Sequence, residues 1–161
     1  MRKLTRALLV SAAVVFGAAG LAMAQDTPAA DAPAAAPIGT GAGSSHIMPA
    51  PSDKAQIIFF RKSGFLGAAI SAHVKDGETP IGHLSNGQYF VALVDPGKHS
   101  FSVKTEATDT LEMEVEPGET YFVEETVSMG VIVYRLNLQP SDMAKFDATY
   151  PKIKLAKPMK P

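Results

Sequence analysis

No cysteine occurs anywhere in the 161 residues. That absence excludes disulfides and thiolate metal sites. It also excludes a lipid anchor, which requires a cysteine at the leader cleavage site. Stability therefore has to come from an apolar core and from backbone pairing. The chain has no stretch that reads as a long helix. It also lacks the local signatures of enzymes: there is no nucleophile elbow, no HExxH, no phosphate loop, and no motif that gathers Ser, His and Asp. From Glu106 to Glu125 there are eight acids and no base.

The chain opens with MRKLTR, in which Arg2, Lys3 and Arg6 form a basic start. An uncharged run follows from Ala7 to Ala24 and ends in the small-x-small triplet Ala22-Met23-Ala24. This pattern predicts a secretory signal peptide over residues 1–24, cleaved before Gln25, and hence a periplasmic or secreted protein. The run is short and rich in Ala and Gly for a membrane-spanning helix. Without it, 12 bases face 16 acids, a net charge of −4 that argues against a nucleic-acid binder. Residues 25–52, QDTPAADAPAAAPIGTGAGSSHIMPAPS, offer little to bury, and their prolines remove backbone donors. They read as a disordered or extended spacer that folding does not need.

From Asp53 the composition changes. AQIIFFR (55–61) is apolar on both faces, like a strand in the middle of a sandwich. AISAHVK (69–75) and TPIGHL (79–84) flank Asp76-Gly77, a hairpin signal because Gly accepts positive φ. Asn86-Gly87 is a second such signal before QYFVALV (88–94). In DTLEMEVE, Leu111, Met113 and Val115 alternate with Glu112, Glu114 and Glu116. Two phrases, Asp95-Pro96-Gly97-Lys98 and Glu116-Pro117-Gly118-Glu119, each lead straight into a β-type run. Pro presets φ for the second position of a type II turn and Gly supplies positive φ at the third. About eight short strands spaced by turn signals predict an all-β domain over residues 53–147, an antiparallel β-sandwich or a partly closed barrel. Residues 141–147, SDMAKFD, predict a short helical turn with Ser141 as N-cap. Residues 148–161 read as a basic, proline-broken tail.

Several phrases together resemble a bacterial family. They are Phe60-Arg61 with Ser63-Gly64-Phe65-x-Gly67, Gly82-x-Leu84-x-Asn86-Gly87-x-Tyr89-Phe90, Pro96-Gly97-x-His99, and Ser128-Met129-Gly130 before a β-run. The set is similar to the domain of unknown function 2846 family of small exported proteins and lipoproteins, over about Asp53 to Asp147. VKDG, IGHL and PGKHSFSV are also similar to PEGA-type surface β-domains. Both resemblances imply a β-sandwich in the cell envelope, and neither carries an agreed activity.

Three groups of residues are candidates for chemistry. The histidines are His46, His73, His83 and His99. They lack the close ligand pairs of a zinc site, although His73 and His83 lie on neighbouring strands of one hairpin. The acid run places Glu112 and Glu124 opposite each other if Pro117-Gly118 makes a hairpin. They are weak candidates for an acid–base pair or a Ca²⁺-type site, against the alternative of a solvated outer face. Finally, strands of alternating direction bring SGFLG (63–67), SNG (85–87), TEATD (105–109) and SMGV (128–131) to one end. Phe65, Leu66 and Met129 are then either a recognition surface on loops or plugs that close the core. Arg61, ending an apolar strand, either pairs with an acid at the rim or recognises an anion. The expectation is an exported, non-enzymatic module that needs no cofactor and binds or spaces an envelope protein, glycan or lipid. The competing expectation is a metal-binding or hydrolytic protein built on the strip from Glu112 to Glu125.

Overall fold

The structure is a computed structural model that describes residues 44–129 and 134–159. The expected leader, and the spacer as far as residue 43, lie outside the described residues. Among the described residues there are nine strands. They are β1 (Ala55–Arg61), β2 (Ala72–Asp76), β3 (Thr79–Leu84), β4 (Gln88–Val94), β5 (Gly97–Lys104), β6 (Thr108–Val115), β7 (Thr120–Met129), β8 (Tyr134–Ser141) and the two-residue β9 (Lys154–Leu155). They form two separate sheets, one ordered β8-β7-β1-β4-β9 and the other β3-β2-β5-β6. The fold is therefore an all-β sandwich rather than a closed barrel, with one short helix, α1 (Met143–Thr149), near its C-terminal end.

Strand β1 is apolar on both faces because it lies at the centre of the five-stranded sheet and is covered on both sides. Its odd-numbered side chains, Ile57 and Phe59, enter the core between the sheets with Val74, Leu84, Phe101, Val103, Val123 and Leu136. Its even-numbered side chains, Ile58 and Phe60, point the other way. They meet Tyr89, Phe122, Phe146 and Ile153 in a second cluster on the outer face. That second layer is built from segments the composition assigns to a spacer and a tail. Ser44 is buried, its Oγ donating to Asp147 Oδ1 at 2.5 Å, and His46 stacks on Tyr150 with centroids 4.0 Å apart. The Gln56 side chain donates to the Met48 carbonyl at 3.0 Å. Residues 44–48 thus pack on the domain, contrary to the spacer reading for this part of the segment.

The C-terminal end departs from expectation in the same way. Beyond Asp147 the chain completes α1, makes a 3-10 turn over Tyr150–Lys152, and adds β9 in parallel beside β4. The Lys154 N–H donates to the Gly87 carbonyl at 3.0 Å, and the Ala156 N–H to the Tyr89 carbonyl at 2.7 Å. Residues 153 and 156 are buried, which a free tail would not show. The N-cap of α1 is Asp142, whose side chain accepts from the Lys145 N–H, while Ser141 is the last residue of β8. The five-stranded sheet is also not purely antiparallel, because β1 pairs in parallel with β7 as well as β4 with β9.

Turn chemistry is correct locally but joins different elements from those expected. Asp76 pairs with Thr79 across Gly77, the one expected hairpin of this type that forms among the described residues. Asn86-Gly87 instead carries the chain from β3 in one sheet to β4 in the other. Both Pro-Gly phrases do the same, from β4 to β5 and from β6 to β7. Glu116–Glu119 is a type II turn, with Gly118 at φ +79 and the Glu119 N–H donating to the Glu116 carbonyl. Gly97 sits at φ +134, away from that geometry. Here the Asp95 carbonyl lies 2.7 Å from His99 Nε2, while His99 Nδ1 lies 2.6 Å from Asp76 Oδ2. The ring thus lies within hydrogen-bond distance of both this corner and the β2–β3 hairpin.

Candidate functional site

The strand register brings several loops to one end of the sandwich. Arg61 at the end of β1 pairs with Gln88 at the start of β4, and β7 runs alongside β1 and continues to Met129, opposite Tyr134. The loop after β1, the turn before β4 and the end of β7 therefore share a pole. Asn86 accepts from the Gly64 N–H at 3.0 Å and so ties the first two together. The β5–β6 tip reaches β8 at the same end: Glu106 accepts from Arg135 Nε at 2.7 Å, and Asp109 from the Leu138 N–H at 2.8 Å. Gly130 and Val131 of the SMGV phrase lie outside the described residues.

At this pole Phe65 is 99% exposed, Met129 75% and Leu66 43%. They do not plug the core, and none of them belongs to either core cluster. The loop that carries Phe65 and Leu66 is nevertheless held firmly. Arg61 Nη2 donates to the Gly67 carbonyl at 2.6 Å and Nη1 to the Ile70 carbonyl at 2.9 Å. Gly67 has φ +65, and a Cβ there would lie 2.8 Å from a Val127 methyl. No other residue type both takes this conformation without strain and lets the loop approach β7 so closely.

Arg61 is neither exposed nor placed to recognise a free anion. Its side chain is 1% exposed, and Nη1 lies 3.2 Å from Oε1 of the fully buried Glu125. The other Glu125 oxygen has no hydrogen-bond partner among the described residues. Burial pushes the Glu125 carboxyl up to about 7, and the adjacent guanidinium offsets only part of that rise. A carboxyl whose folded value lies above its unfolded value favours the folded state most at low pH, below the unfolded value of 4.5. That contribution is lost as pH rises through about 7. Stability should therefore fall between those limits, by on the order of 2–3 kcal/mol for a shift of this size. Urea unfolding at pH 5 and pH 8 measures the change, and Glu125→Gln should remove most of it.

The sequence misses this pair because Glu124 and Glu125 both read as part of one outward acidic strip. Their neighbours become visible only once β7 lies beside β1, 64 residues away in the chain. Glu124 is also poorly exposed and is gripped by Lys145 Nζ at 2.5 Å and Lys62 Nζ at 3.3 Å. Glu112 lies on the other sheet, where it accepts from Ser100 Oγ at 2.6 Å. Pro117-Gly118 is a corner between sheets, so Glu112 and Glu124 do not face each other and form no paired carboxylate site. Among the described residues, no group of three or more His, Asp or Glu converges as metal ligands. His73 and His83 do meet, with ring centroids 5.0 Å apart.

A family model described as Protein of unknown function (DUF2846) matches residues 51–136. The match ends inside β8, earlier than the resemblance in the sequence suggested, and leaves out α1 and β9. Comparison with curated proteins finds no match.

Proposed function

Starting from a chain that belongs to the DUF2846 family, we propose that it is an exported, non-enzymatic module whose Phe65, Leu66 and Met129 dock a segment of another envelope protein. The observation that carries this reading is Phe65, 99% exposed on a loop that a buried arginine holds in place. A large apolar side chain held out in water adds nothing to folding, whereas a preordered one loses little entropy when a partner covers it. A thioether and a phenyl ring suit an apolar peptide face that can repack. Flat sugar rings are best stacked on tryptophan or tyrosine, and the chain has no tryptophan. The net charge of −4 left after leader removal disfavours an anionic lipid surface.

The test is the double variant Phe65→Ser with Met129→Ser. Capture of envelope proteins by the wild type should be lost, while the melting curve moves by no more than about 0.5 kcal/mol, as for exposed positions. Unchanged capture, or a loss on the order of 2–4 kcal/mol as for core truncations, would overturn the reading. Retained binding to glycan or to lipid vesicles by the wild type alone would assign the pole to those partners instead.

A further inference from the structure

A second feature lies on the β2–β3 hairpin, which forms one side of the four-stranded sheet. His73 on β2 and His83 on β3 are direct cross-strand partners. Their rings touch each other at 62° between planes, and neither has another hydrogen bond or ion pair among the described residues. The chain after β9 passes this edge, so that His73, His83, Pro80, Lys157, Pro158 and Met159 line one open recess of about 590 Å³. We propose that His73, His83 and Met159 together bind a soft monovalent cation, Cu(I), in this recess.

The geometry suits a shared metal. Two imidazole nitrogens bound to one tetrahedral ion at about 2.0–2.1 Å place their ring centroids about 5 Å apart, and the observed separation is 5.0 Å. Cross-strand partners hold that spacing without loop rearrangement, because their Cβ atoms are fixed by the sheet. The donor set selects the ion. Imidazole and thioether are soft to borderline donors, and copper in its lower oxidation state prefers them. No carboxylate lines the recess and Lys157 does, so a doubly charged ion would enter without a compensating anion. Binding needs no electron transfer: the ion exchanges solvent or chelator ligands for two nitrogens and one sulfur.

The experiment is an anaerobic titration of the full-length protein with Cu(I) against a chromogenic Cu(I) chelator, alongside Zn(II) and Cu(II). One equivalent of Cu(I) should be withdrawn from the chelator. His73→Gln, His83→Gln and Met159→Leu should each weaken binding at least tenfold, and His46→Gln should not. His73 is exposed, so its variant should fold; circular dichroism checks this. As an independent readout, the imidazole NMR signals of His73 and His83 should shift together at one equivalent. Failure to compete, wild-type affinity in His73→Gln or Met159→Leu, unmoved imidazole signals, or Zn(II) bound as tightly as Cu(I) would each overturn the proposal. None of these results bears on Phe65 and Met129, so this site and the apolar pole stand or fall separately.

Discussion

Arg61→Ala should lower the folding free energy by about 3–5 kcal/mol, the usual cost of removing one member of a buried ion pair. The variant leaves Glu125 fully buried without its cation, and it leaves the Gly67 and Ile70 carbonyls without their guanidinium donors. The pH dependence should identify the cause. With Arg61 gone, nothing offsets the burial that raises the Glu125 carboxyl to about 7, so the value rises further. Below pH 5 that carboxyl is neutral in both proteins, and the penalty is smallest. It grows as pH passes neutrality, because the variant then either buries an unpaired carboxylate or holds a proton at increasing cost. Urea unfolding across pH 5 to 8 measures this. A flat loss of less than about 1 kcal/mol would mean that the pair behaves like an exposed one.

The same substitution connects stability to the proposed docking surface. Arg61 is the principal tie between the core and the loop that presents Phe65. Amide exchange over residues 63–71 should accelerate in Arg61→Ala even under conditions where the global fold persists, since local opening is governed by local contacts. Partner capture should weaken in parallel, because a mobile Phe65 must then be ordered on binding.

Much of the fold can be read from local pattern. The period-2 alternation of Leu111, Met113 and Val115 with Glu112 and Glu114 appears as a half-buried strand on the four-stranded sheet. Asp76-Gly77 makes its hairpin, and the two-faced AQIIFFR run occupies the centre of the larger sheet. The loops around Phe65 and Asn86 meet because alternating strand directions bring them to one end. What stayed hidden was non-local. A Pro-Gly turn fixes backbone dihedrals, but it does not say whether the next strand returns to its neighbour or crosses to the opposite sheet. At 116–119 it crosses, and that separates Glu112 from Glu124. Glu125 looks like its neighbours until β1 is placed beside it. The prolines and lysines after Asp147 suggest a solvated tail, yet Ile153 and Ala156 supply enough apolar contact to dock it.

That docking leads to the second large expected effect, on Phe146. Its side chain is fully buried on the outer face of the five-stranded sheet. Its ring lies 5.4 Å from Phe60, 5.5 Å from Phe122, 5.6 Å from Tyr89 and 5.6 Å from Tyr150. These separations fall within the range of favourable aromatic pairs. Phe146→Ala removes the centre of that cluster and should cost about 3–5 kcal/mol, a transfer term plus the cavity left behind. The family match stops ten residues short of this position, at residue 136, so the variant also asks whether the C-terminal layer is integral to the domain. If it is, thermal unfolding of Phe146→Ala remains one cooperative transition at a lower temperature. A truncation after Asp142 would then expose Ile58, Phe60, Tyr89 and Phe122 together and should yield an associating protein. If instead Phe146→Ala melts like the wild type, or shows an early separate transition that leaves the strands intact, the helix is an appendage and the even-numbered side chains of β1 tolerate water.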